Sequence, residues 1–262
     1  MFPAEHGAWV FLFSPLAIGL ALGGRLTFAS LLLVIAALAA FLVRQPVTII
    51  VKALSGRRPR SELSQARFWL GVYGLVGALA VAGMLLIGDA YILLLAIPAI
   101  PVFGWHLWLV SRREERQQMW VEIAGGAVLA LAAPASYWVG KNQYDPLGWI
   151  LWVLSWLQTV GSIIFIYLRL KQRKLAIMPG MKERFEMGIP ALAFNTAVLT
   201  AIFGLSAGSI TPPWLPLAYI VQWVEVLWGV TYPAVRVKPT VIGIRQLLVS
   251  IVFTIVFILS WR

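Results

Sequence analysis

Apolar residues dominate this chain in long runs, and polar residues gather in short stretches between them. Runs of about 20 apolar residues recur, each long enough to cross a hydrocarbon core of roughly 30 Å as a helix. Nine such helices are predicted, over residues 7–23, 27–53, 68–88, 90–111, 118–139, 147–170, 188–207, 213–235 and 240–261. The longest connections, GRRPRSELSQAR and KQRKLAIMPGMKERFEMG, are short and basic. They leave no room for a separate soluble domain, so residues 1–262 read as a single transmembrane helical domain. Pro179-Gly180 breaks the second connection, and MKERFEM beyond it suits a short amphipathic piece on the membrane surface. No internal repeat stands out, which weakens a repeat-built transporter reading. The start lacks a basic n-region, and VFLFSPLAIGLALGG leads into more membrane sequence, so no cleavable signal peptide is expected. The expected fold is all-α: a polytopic bundle of nine transmembrane helices.

Composition agrees with lipid as the solvent. Of 262 residues 61% are hydrophobic and only 12% charged, more apolar surface than a soluble domain of this length can bury. The net charge of +11 would suit nucleic acid, but its distribution points elsewhere. Once the nine helices alternate in direction, all 21 Lys and Arg except Arg25, Lys141 and Arg262 fall on one side. The positive-inside rule then places the N-terminus in the cytoplasm and the C-terminus outside. The expected partners are membrane lipids, with anionic headgroups beside the basic loops and no nucleic acid. A bacterial cytoplasmic membrane or a photosynthetic membrane would suit. There are no cysteines, which removes disulfides, thiolate metal sites and cysteine nucleophiles.

Ionisable groups inside a bilayer are costly, so each is a functional candidate. The second helix ends FLVRQPVTIIVKALSG, where Pro46 follows Arg44 and Gln45 and removes a backbone donor. Arg44 and Lys52 either shape a pocket there or snorkel to headgroups. The sixth places Ser155, Gln158, Ser162 and Arg169 near one stripe. The eighth carries Glu225 near mid-membrane on a face with Tyr219 and Gln222, and Arg245 of the ninth is a possible partner. Glu122 opens the fifth helix, with Gly125-Gly126 allowing a close neighbour, and Asn195 lies in the seventh. His106, between Trp105 and Trp108, reads as an interface anchor. The two histidines make no metal motif, and neither metal nor cofactor is expected. Apart from Glu225, nearly all these groups sit in the cytoplasmic half, as a pocket opening inward would require.

The run EHGAWVFLFSPLAIG, the RQP of the second helix and KPTVIGIRQ at the start of the ninth together resemble the YwiC-like membrane protein family. The resemblance extends along most of the chain. The helix count, the cytoplasmic N-terminus and the connections after helices 2 and 6 are more distantly similar to UbiA-type intramembrane prenyltransferases. That family carries an Asp-rich, Mg²⁺-holding motif where this chain has RQPVTIIVKALSGRRPRSELSQARFW, of which only GRRPR looks like a remnant. The only aspartates here are Asp89 and Asp145, both predicted outside. What the resemblance implies is therefore a metal-independent transferase, or a binder of an isoprenoid, quinone or similar amphipathic lipid. Guanidinium and ammonium groups can hold phosphate or carboxylate without a metal. The candidates for substrate are Arg44, Gln45, Lys52, Arg169, Asn195, Glu225 and Arg245; those for acid–base chemistry are Glu5, His6 and Glu122. Glu5 alone would serve as a helix cap, whereas the adjoining His6 and the small Gly7-Ala8 suggest a pocket mouth. Two other readings stay open. One is a proton-coupled transporter using Glu225 and Glu122; the other is a non-catalytic membrane subunit or assembly factor.

Overall fold

The computed structural model describes residues 8–112 and 119–262, and among these every regular element is helical. The chain forms α1 (Ala8–Gly23), α2 (Phe28–Leu54), α3 (Glu62–Ile87), a 3-10 stretch Ala90–Leu95 continuing into α4 (Ala96–Arg112), α5 (Met119–Ala130), α6 (Ala132–Lys141), α7 (Leu147–Gln172), α8 (Met181–Ala207), α9 (Pro216–Thr231) and α10 (Pro239–Ser260). Where described, each predicted segment coincides with helix, and among the described residues seven helices are long and apolar enough to cross a membrane. Of the other two, α9 has 16 residues, about 24 Å of helix at 1.5 Å per residue, and α1 is described from Ala8 onward.

The departures from the predicted boundaries have local causes. Pro134 cannot donate to the Ala130 carbonyl and its ring crowds it, so the fifth segment is interrupted at Leu131 between α5 and α6. Pro233 stops α9 well before residue 235, because the residue preceding a proline disfavours helical geometry. MKERFEM is not a separate surface piece. It forms the first turns of α8, which starts after extended Gly180. Likewise α3 starts within the polar segment at Glu62, several residues before 68. At the start of α2, Thr27 and Ser30 cap one another through side chain and backbone.

The helix ends collect at two poles. At one, Gly23 of α1 lies against Gly140 of α6, and Tyr91 bonds both the Asp89 carboxylate and the Trp138 carbonyl. At the other, Ala234 N–H donates to the Gln172 amide at 3.2 Å and Arg236 N–H to the Arg173 carbonyl at 3.3 Å. The α1–α6 contact is the tightest: a Cβ on Gly140 would sit 2.7 Å from the Gly23 Cα, and one on Gly19 would overlap Ser136. Small residues substitute for apolar driving force between helices in lipid, which is as oily as they are. Helix α7 is the hub, touching α1, α5, α6, α8, α9 and α10, whereas α3 leans almost wholly on α2. Between α1, α2, α4 and the α5–α6 pair the packing leaves a space.

Candidate functional site

That space is a cavity of about 1040 Å³. From α2 its wall runs from Leu33 through Ala37 and Phe41 to Arg44, Gln45, Thr48 and Lys52. At 1.5 Å per residue the α2 wall is about 29 Å long, close to the hydrocarbon thickness of a bilayer. Leu12 and Leu16 of α1, Met84 of α3, Ile92 and Leu95, and Leu131 and Ala135 make the deeper limb apolar. Toward the basic pole the lining changes to Arg44, Gln45, Lys52, Arg58, His106 and Glu122.

The local chemistry sets this polarity. Pro46 removes the donor that would meet the Leu42 carbonyl, and Thr48 turns its hydroxyl to the Arg44 carbonyl at 2.8 Å. The helix persists through the proline, so Arg44, Gln45 and Lys52 stay on one lengthwise wall. Glu122 accepts a hydrogen bond from the Tyr167 hydroxyl at 2.9 Å, which ties the carboxylate to α7. Gly126 lets α5 press onto Thr159 of α7, where a Cβ would come within 2.6 Å, while neighbouring Gly125 lines the cavity. Arg58 is paired with Glu62 at 2.6 Å at the rim.

Of the residues singled out in the sequence, the structure brings Arg44, Gln45, Lys52 and Glu122 to this one cavity. Glu5 and His6 lie outside the described residues. Arg169, Asn195, Glu225 and Arg245 are not among the cavity's lining residues. The Arg169 Nη1 donates to Gln172 and to the carbonyls of Gly229 and Tyr232 at 2.7–3.0 Å, capping the C-terminal end of α9. Gln172 and Arg184 add donors to Gly229 and Thr231 of the same end. Glu225 holds Arg245 through two bonds, Nε–Oε1 at 2.6 Å and Nη2–Oε2 at 2.8 Å. The Arg245 guanidinium also lies 3.2 Å from the centre of the Trp228 ring. Asn195 bonds the Ala191 carbonyl of its own helix and fits against Gly161. The two carboxylates of the transporter reading thus occupy different parts of the bundle, and Glu225 is engaged in an ion pair.

His106 is the cavity residue that sequence reasoning passed over, because its tryptophan neighbours suggested an interfacial anchor. The available signal was its place on the fourth helix at the same pole as Glu122. Among the described residues, no group of three or more His, Asp or Glu side chains could hold a metal ion.

The family described as YwiC-like protein matches residues 2–137, a stretch that contributes every lining residue of the cavity except Ile163 and Ile166. A protein of Bacillus subtilis (strain 168), named Uncharacterized protein YwiC, is 24% identical over 217 residues. That alignment covers 78% of this chain and 85% of the other. No solved structure matches the chain.

Proposed function

The chain belongs to the YwiC-like protein family, and we propose that it is a membrane protein that holds an amphipathic lipid with an anionic head and an isoprenoid- or quinone-like tail. One observation carries the reading: a single cavity joins a cation-bearing mouth to an apolar limb, the two together about as long as the hydrocarbon core is thick. An apolar tail loses contact with water by about 0.8 kcal/mol per CH₂, while Arg44 and Lys52 supply charge-assisted donors to a phosphate or carboxylate. In the orientation expected from the basic loops, the mouth opens to the cytoplasm.

A finer step follows from Glu122. We propose that Glu122, which accepts from Tyr167, would act as base: it would take the proton of an acceptor that bonds to the first tail carbon as the carbon–oxygen bond to the anionic head breaks, and the head would leave as an anion held by Arg44 and Lys52. The test is mass spectrometry of lipid retained by protein extracted gently from its membrane. An anionic or quinone-like lipid should copurify and be lost from Arg44→Gln. Retention of bulk phospholipid alone, unchanged by that substitution, would refute the reading.

A further inference from the structure

A second polar region lies apart from the cavity, on the seam where α7, α9 and α10 meet. Gln158 and Ser162 of α7, Gln222 of α9, and Gln246 and Ser250 of α10 are all at least 95% buried. Ser162 is their centre. Its hydroxyl accepts from Gln158 at 3.0 Å and from Gln246 at 2.9 Å, and donates to the Gln222 carbonyl oxygen at 3.3 Å. The second Gln246 donor goes to the same Gln222 oxygen at 3.1 Å.

This arrangement uses one end of each amide. Two glutamines side by side would ordinarily exchange a pair of bonds, but Ser162 stands between them. The Gln222 Nε2 is left with no partner in the protein, and so is the Gln246 Oε1. Ser155, two turns from Ser162 along α7 and 3% exposed, has a third such atom in its hydroxyl. A buried polar atom left unpaired costs about 1–3 kcal/mol, and lipid offers it nothing. Three on one seam, in a polar column from Ser155 to Ser162, ask for a ligand.

The chemistry of the unpaired atoms selects its class. Gln222 offers donors only, Gln246 an acceptor only, and Ser155 either. A cation would serve the acceptor and repel the amide hydrogens; an anion would do the reverse. We propose that the seam binds internal water, which gives and takes hydrogen bonds at once and so completes both amides. The site is separate from the lipid cavity and stands whether or not a lipid binds there.

X-ray hydroxyl-radical footprinting in nanodiscs tests this, because radicals form from water already inside the protein. Tyr219 is 4% exposed, lies one turn from Gln222, and places its hydroxyl on the Leu154 carbonyl beside Ser155. It should be oxidised at least tenfold faster than Trp138, which is fully buried and whose indole N–H is already bonded to the Asp145 carbonyl at 2.6 Å. Oxidation of Tyr219 no faster than Trp138 would overturn the proposal. Ser155→Ala gives an independent sign. If water completes Ser155, removing the hydroxyl lowers the thermal midpoint; a midpoint unchanged or raised means a dry seam and refutes the inference.

Discussion

Glu225 and Arg245 share two hydrogen bonds but not the same surroundings. The Glu225 side chain is 7% exposed and that of Arg245 41%, so one partner is trapped and the other has an outlet. Removing Glu225 leaves a guanidinium that can still rest on Trp228 or reach toward headgroups. Removing Arg245 strands a carboxylate with no outlet. We expect Arg245→Ala to lower the thermal midpoint in nanodiscs clearly more than Glu225→Gln. Both losses should stay below the ~3–5 kcal/mol of a wholly buried pair. In the cavity, Arg44→Gln and Lys52→Gln should each weaken binding of an anionic lipid roughly tenfold, the worth of one charge-assisted bond of about 1.5 kcal/mol, in a lipid-binding titration. EDTA should leave that binding unchanged; strict dependence on added Mg²⁺ would count against it. The sequence made Arg44, Gln45, Lys52 and Glu122 legible because a charge or amide in an apolar run is conspicuous. It could not separate them from Arg169, since a cation that caps a neighbouring helix and one that faces a cavity look alike until the helices are placed.

Between elements, the decisive contacts are made by residues with almost no side chain. Gly23 and Gly140 bring α1 and α6 to backbone contact, whereas Gly71 on α3 has open space around its missing Cβ. Gly140→Val should therefore lower the thermal midpoint by several degrees, and Gly71→Val should leave it nearly unchanged in the same assay. A similar loss in both would mean that backbone freedom, not close approach, governs these sites. The helices themselves were readable from length and hydropathy, yet their ends were not always so. Polar residues can prolong a helix out of the apolar run, as α3 and α8 do from Glu62 and Met181. Proline cuts the other way at Leu131 and after Thr231, where hydropathy alone continues. Which helices are neighbours was legible only where opposite charges could pair, as for Glu225 and Arg245; elsewhere lipid-facing and helix-facing positions are equally apolar.

For the whole molecule, the excess of Lys and Arg in alternate loops leads us to expect one orientation, which labelling can check. The chain has no cysteine, so each introduced one is unambiguous. Cysteines at Arg60 and Arg173 should react with a membrane-impermeant maleimide only after cells are opened, and those at Asp145 and Arg262 in intact cells. Reaction of all four from outside would refute a cytoplasmic mouth. The capping of α9 has a consequence for how the protein is made. At about 24 Å, α9 is too short to hold its place in a bilayer alone, and the carbonyls of Gly229, Thr231 and Tyr232 would enter lipid bare. Their donors, Arg169, Gln172 and Arg184, belong to α7 and α8, which leave the ribosome first. The order of the chain thus stations the receiving groups in the membrane before the helix that needs them emerges.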